Sequence, residues 1–235
     1  MLLDNPLLIL SVHTGIDNSG INWLTIQHDF IKRHTKNFVH SICLINNQHH
    51  TPDNIKIIAN INSNLDGGHQ HLQGLNILCD FAKQNIDNYR SFLVLDSDCF
   101  PIRNWEDQLT RIMYHYQKDI ACIIRTENFD QFAHPAAVYT NNADLLKFDY
   151  RTTTNMLGQQ VNDNQCLTTD FLPLIRTNRH NIHPIAFGIY SDSFYHHGAG
   201  SRKPIFRGDE YYNKKYINMN SQFALNPNKF IDNLC

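Results

Sequence analysis

Apolar positions along the chain follow two alternating rhythms. "LLILSV" (7 to 12) is a short apolar run bounded by turn residues, and "INWLTIQHDFIKRH" (21 to 34) places Ile21, Leu24, Ile26, Phe30 and Ile31 at helical spacing. "FVHSICLIN" (38 to 46) is strand-like again, so the order is β-α-β. After a polar turn, "IKIIANI" (55 to 61) predicts a third strand, "HLQGLNILCDFAKQ" (71 to 84) a helix, and "SFLVLD" (91 to 96) a strand with apolar residues on both faces. Strands of that kind belong inside a parallel sheet covered by helices. A further helical pattern, "NWEDQLTRIMYHY" (104 to 116), follows. The expected fold is α/β with a mostly parallel central sheet, in which ligands bind at the carboxyl ends of the strands.

Composition narrows the class. With 235 residues, 42% of them apolar, the chain suits one domain with a sizeable core. A formal net charge of -2 leaves no basic stripe to neutralise phosphates, so a nucleic-acid partner is not expected. No run of about 20 apolar residues is available for a transmembrane segment. The start, "MLLDNPLLILSVH", carries Asp4, Asn5 and Pro6 where a signal peptide would carry lysines, which predicts a retained first strand and a cytoplasmic chain. Cys43, Cys79, Cys99, Cys122, Cys166 and Cys235 are scattered without a CxxC pair, as buried reduced thiols are.

The candidate chemistry lies in "FLVLDSDCFP" (92 to 101), where a buried-looking strand ends in two acids. Neighbouring carboxylates repel, and each costs free energy when buried unless a cation or hydrogen bonds hold it ionised. Asp96 and Asp98, leaving a strand together, can offer hard oxygen ligands suited to Mn²⁺ or Mg²⁺. A bland alternative is one acid capping the next helix and the other solvated. The apolar run ahead and the proline behind favour a site at the strand's end.

The segment "LDGGHQHLQGLNILCDFAKQNIDNYRSFLVLDSDCFP" resembles the first half of GT-A-fold glycosyltransferases of the family-2 type. There a glycine-bearing loop and a helix precede a strand ending in a DxD metal motif. The resemblance implies a Rossmann-like three-layer α/β sandwich. It assigns Gly67, Gly68, Gly74 and Asn76 to the approach of the nucleotide, and Asp96, Ser97 and Asp98 to the metal motif and nucleotide-sugar. By position it also sets Val12, His13 and Thr14, at the end of the first strand, beside the nucleotide base, with His71 as a further nucleotide contact. Far downstream, "YHHGAGSRKPIF" (195 to 206) resembles the H-x-x-G-x-x-K-P-W segment of family-8 enzymes. His197, Gly200, Lys203 and Pro204 fit that spacing, with His197 as the metal ligand and Lys203 on the diphosphate. Ile205 and Phe206 stand where that family has tryptophan. The segment also makes physical sense alone: an imidazole adds nitrogen to an oxygen-rich site, glycines let backbone approach phosphates, and Arg202 and Lys203 neutralise them.

The resemblance implies a single GT-A domain over 1–235, with a nucleotide-binding half (1–103) and an acceptor half carrying the metal and phosphate loop (104–235). Its partners would be a nucleotide-diphosphate sugar donor of UDP or GDP type and a glycan, lipid-linked or protein acceptor. Inverting enzymes need a general base near the acceptor, and retaining ones do not. In "RTTTNMLGQQVNDNQCLTTDFLPLIRTNRHNIHP" (151 to 184) a polar loop becomes helical near Asp163, with Leu167, Phe171, Leu174 and Ile175 on one face. Asp163 is either the base or a helix cap, Asp170 is the alternative base, and Gln165 would suit a retaining site.

Rival classes fit less well. His69 and His71, or His49 and His50, could serve a zinc hydrolase, yet no HExxH accompanies them. A phosphohydrolase of the dehalogenase type wants its DxD on the first strand. A nucleotidyltransferase wants cations after that strand, where "HTGIDNSG" has none. A non-catalytic nucleotide-binding module is the remaining alternative.

Overall fold

The computed structural model of the chain describes residues 4–14, 22–47, 51–65, 67–125, 132–150, 169–170, 182–184, 193–196 and 229. The predicted alternation is present as β1 (Leu7–Thr14), α1 (Trp23–His34), β2 (Phe38–Ile45), β3 (Ile55–Ile61), α2 (Gly67–Gln84) and β4 (Ser91–Leu95). A short β5 (Cys99–Pro101), α3 (Glu106–His115), β6 (Ile120–Arg125) and β7 (Phe132–Thr140) follow. Beyond these lie β8 (Asp149–Tyr150), β9 (Thr169–Asp170), β10 (Ile182–Pro184) and β11 (Phe194–His196).

Seven strands form the main sheet in the order β10-β6-β7-β4-β1-β2-β3. β1 pairs in parallel with both β2 and β4, β2 with β3, and β6 with β10. Among the described strands of this sheet only β7, inserted between β4 and β6, runs antiparallel to its neighbours. Its register against β6 shifts where Pro135 interrupts the strand, as expected of a residue that cannot donate to a ladder. Helices cover both faces. Leu8, Leu10 and Val12 point toward α2, meeting Leu75, Leu78, Cys79 and Ala82, whereas Leu7, Ile9, Leu93 and Leu95 point toward Ile31 of α1 and Leu109 and Met113 of α3. The strict alternation along β1 is what makes the sandwich three-layered. No described helix is long and apolar enough to cross a membrane.

Local signals explain the helix ends. Asn22 caps α1 by accepting from the Thr25 amide at 3.2 Å, and Lys32, Arg33 and His34 fill its last turn, complementing the helix dipole. α3 carries Glu106 and Asp107 in its first turn and closes through the Lys118 amide on the Met113 carbonyl at 2.8 Å, with Gln117 left-handed at φ 51°. The amino ends of the strands are tied together by Arg90, which donates to the carbonyls of Asn5, Lys36 and Asn37 and pairs with Glu106 at 2.6 Å.

Two expectations change. The helical reading around Asp163 does not hold at Thr169 and Asp170, which are extended and pair antiparallel with Asp149 and Tyr150. Ladder bonds to another segment outweigh a spacing of apolar residues that a strand's loop can also produce. Gly74, assigned to the nucleotide, is buried where α2 crosses the sheet: a Cβ there would lie 2.6 and 2.8 Å from the two methyls of Val12 and 3.2 Å from Ile45. Gly74→Ala should therefore cost about 1–3 kcal/mol by overpacking. Urea denaturation would measure it, and Val12→Ala in the same chain should recover part of the loss. Equal stability of Gly74→Ala and the parent would show that the helix can ride away from β1 freely.

Candidate metal centre

The carboxyl end of β4 turns sharply. The Asp96 amide still bonds to the Ala136 carbonyl of β7 at 3.1 Å, completing the ladder, and the Cys99 amide returns to the Asp96 carbonyl at 3.0 Å. Asp96, Ser97, Asp98 and Cys99 thus form a β-turn, the conformation that short polar residues favour, with the two acids at its first and third positions. The chain then enters β5, whose apolar residues Cys99 and Phe100 are buried and anchor the turn.

β5 pairs antiparallel with β11, setting His196 opposite Cys99 and Tyr195 opposite Phe100. Tyr195 packs with Phe100 (ring centres 5.4 Å apart), and Phe194 packs on Trp105 at 5.1 Å. With these two aromatics locked on opposite faces, His196 arrives at the acids: its Nε2 lies 3.3 Å from Asp98 Oδ1 and 3.7 Å from Asp96 Oδ2. One ligand atom from each of Asp96, Asp98 and His196 can be chosen so that all lie within 4.8 Å of one another. On the opposite side of Asp96, His71 from the second turn of α2 places Nε2 3.3 Å from Oδ1.

Two carboxylate oxygens and one imidazole nitrogen, all half-buried, suit a divalent cation of intermediate hardness. Three protein ligands leave coordination positions for a substrate's oxygens. His71 stands beside Asp96, its Nε2 near Oδ1 without forming a hydrogen bond to it, while Oδ2 faces His196 at 3.7 Å. The cluster could therefore hold a divalent cation.

The other sequence candidates are distributed around this edge. Thr14 ends β1 exposed; His13, just before it, is buried and its Nε2 is 3.0 Å from both Ser11 Oγ and Gln27 Oε1. Burial pushes the His13 pKa down to about 4, against the opposing pull of its Gln27 hydrogen bond and of Asp98. Val12 points into the core under α2, and Asn76 is exposed on that helix. Gly68 lies in the first turn of α2, and Ser97 in the turn between the acids. Asp170 is placed in β9 by its backbone. Asp163, His197, Gly200, Arg202 and Lys203 lie outside the described residues. Among the described residues it is His196, the neighbour of the histidine favoured by motif spacing, that the structure brings to the acids. A strand partner, not an offset to a glycine, selects it.

Sequence reasoning missed Gln27. It is fully buried on α1 and both of its amide hydrogens are engaged, by the Asp96 and Cys99 carbonyls, each at 2.7 Å.

Comparison with protein-family models and with curated protein sequences gives no match. Among solved structures, the chain is similar to A197 from STIV, at 10% identity over 77% of this chain and 81% of that one, with a TM-score of 0.37. It is also similar to S. aureus TarS 1-349, at 12% identity over 81% of this chain and 60% of that one, with a TM-score of 0.43. Likenesses this distant leave the activity to be argued from the residues of the site.

Proposed function

We propose that the protein is a glycosyltransferase of the GT-A type that moves a sugar from a UDP- or GDP-linked donor to a glycan, lipid-linked or protein acceptor. The observation that carries this reading is the convergence of Asp96, Asp98 and His196 at the carboxyl end of β4, beside the ends of β1 and the start of α2. Mn²⁺ or Mg²⁺ held by these three residues would supply positive charge to the diphosphate leaving group. His13 and Thr14 would border the base, Gly68 and His71 the ribose and phosphates, and Ser97 the sugar. Gly200, Arg202 and Lys203 would close on the diphosphate, with His197 nearby. Asp163 or Asp170 would take the acceptor's proton in an inverting reaction. The whole chain, 1–235, would act as one unit, with the donor on 1–103 and the acceptor on 104–235. Free, buried thiols at Cys43, Cys79, Cys99 and Cys122 suit a reducing, cytoplasmic setting.

The test is a thermal-shift panel of UDP, GDP, CDP and dTDP with and without Mn²⁺. A ligand present at a hundred times its Kd stabilises by about 2.7 kcal/mol, a readily measured shift. Stabilisation by one nucleotide, and only with metal, is expected. Equal response to all four, or to none, would overturn the reading.

A further inference from the structure

We infer that Gln27 is a positioning residue for the metal-binding turn: a buried amide that clamps the Asp96–Cys99 reversal from below and is itself oriented by His13. The inference rests on the metal reading for its function, but its geometry stands on hydrogen bonds independent of any ion.

The orientation of the Gln27 amide follows from its partners. The carbonyls of Asp96 and Cys99 can only accept, so the group 2.7 Å from both must be the NH₂, and each hydrogen goes to one end of the turn. The Asp96 carbonyl already receives the Cys99 amide, so Gln27 adds a second bond to the turn's first residue and a new one to its last. The remaining amide oxygen faces His13 Nε2 at 3.0 Å and can only accept, which obliges His13 to carry its proton on Nε2. That nitrogen cannot then accept from Ser11, 3.0 Å away, so the Ser11 hydroxyl is left to donate to His40 Nε2 at 2.9 Å. His40 Nδ1 then meets His28 Nδ1 at 3.1 Å, and the two rings stack 5.4 Å apart. One polar chain thus runs from the core beneath the sheet to the backbone of the turn. Ser11, His13, Gln27, His28 and His40 are all buried, and of their buried side-chain polar atoms only His28 Nε2, at the far end of the chain, lacks a hydrogen-bond partner. Buried polar groups are retained at a cost unless fully bonded. A leucine would fill the Gln27 volume more cheaply, and only the amide can hold both ends of the turn.

What the clamp fixes is the direction of the two carboxylates. The turn is bonded to β7 through the Asp96 amide and leads into β5, which pairs with β11 from Cys99 onward, yet Ser97 and Asp98 project beyond the ladders, and their peptide planes are set by the bonds at Asp96 and Cys99. Loosening these lets Asp98 swing away from His196, 3.3 Å off, without unfolding the sheet.

The experiment has two arms. In the first, Mn²⁺ affinity is measured by titration calorimetry for the parent, Gln27→Leu and Ile31→Ala, the last a buried residue one turn further along the same helix whose apolar side chain makes no hydrogen bond to the turn. Gln27→Leu is expected to lose about 10–100-fold in affinity, as loss of an outer partner does, whereas Ile31→Ala loses stability and keeps the affinity. Parent-like affinity in Gln27→Leu would overturn the inference. In the second arm, the metal-free parent is transferred to D₂O and followed by NMR. Both Gln27 side-chain amide hydrogens should persist long after surface amides have exchanged, with His13 protonated on Nε2. Exchange of the Gln27 amide within the dead time, or a His13 proton on Nδ1, would overturn the clamp even if Gln27→Leu failed to fold. A parent that bound no Mn²⁺ while Gln27 stayed protected would overturn the metal reading and leave the clamp in place.

Discussion

Replacing Asp98 with asparagine is expected to remove measurable Mn²⁺ binding while leaving the metal-free protein at least as stable as the parent. The substitution keeps the size of the side chain and deletes its charge. Without a cation, Asp96 and Asp98 hold carboxylate oxygens within 4.8 Å of each other, and neutralising one relieves their repulsion. With a cation, the same change removes an anionic ligand, which costs more than the roughly 10–100-fold attached to losing an outer partner. The two effects have opposite signs, so the metal-free melting temperature and the Mn²⁺-induced shift should separate in one experiment. His196→Ala should also abolish the shift, because its imidazole, at 3.3 and 3.7 Å from the acids, would be the third ligand. His197→Ala should bind Mn²⁺ as the parent does. An intact Mn²⁺ shift in both Asp98→Asn and His196→Ala would sink the metal centre.

That contrast between His196 and His197 shows where the sequence was legible and where it was not. β1 to β4 and α1 to α3 could be read because each is long enough to display its own period, and their neighbours in the sheet follow from β-α-β order. The acids could be read because two charges after an apolar strand conflict with burial unless a cation resolves them. β5 and β11 could not: each has three residues, and they pair across some ninety positions of chain. That pairing is what carries His196 to the acids. Gln27 was hidden for a different reason. The helical period of α1 was counted on its apolar residues, so a glutamine and a histidine inside the buried face passed as interruptions. The signal was present in β1, where the face that begins with Leu7 and Ile9 continues with Ser11 and His13. A strand face that turns polar as it nears the carboxyl edge, opposite a helix with a buried Gln-His pair, is the pattern of a polar support built under a site.

Acidification should destabilise the fold well above the range in which ordinary carboxylates protonate. His13 is held at about 4 and His40 is held well below the ordinary value of 6.5, both chiefly by burial; His28 is shifted the same way. The sign follows from proton counting. Between pH 6.5 and 4 the unfolded chain binds a proton at position 13 that the native protein does not, so native stability falls as pH falls through that window. Above about pH 7 the contribution is fully present, and below about pH 4 His13 is protonated in both states and its share of the slope ends. A displacement from 6.5 to about 4 corresponds to roughly 3 kcal/mol at about 1.4 kcal/mol per pH unit. That is a large fraction of the 5–15 kcal/mol typical of a domain, and His40 adds to it in the same direction. Urea midpoints at pH 7.5, 6.0 and 4.5 would record the loss, and His13→Asn should flatten the profile by about one proton's worth. NMR titration of the metal-free parent supplies the same answer without a variant: His13 should remain neutral at pH 5.5, where an exposed imidazole is mostly charged. A His13 ring that titrates near 6.5 would show that water reaches it, and the polar chain from His40 to the Asp96 turn would then be open to solvent.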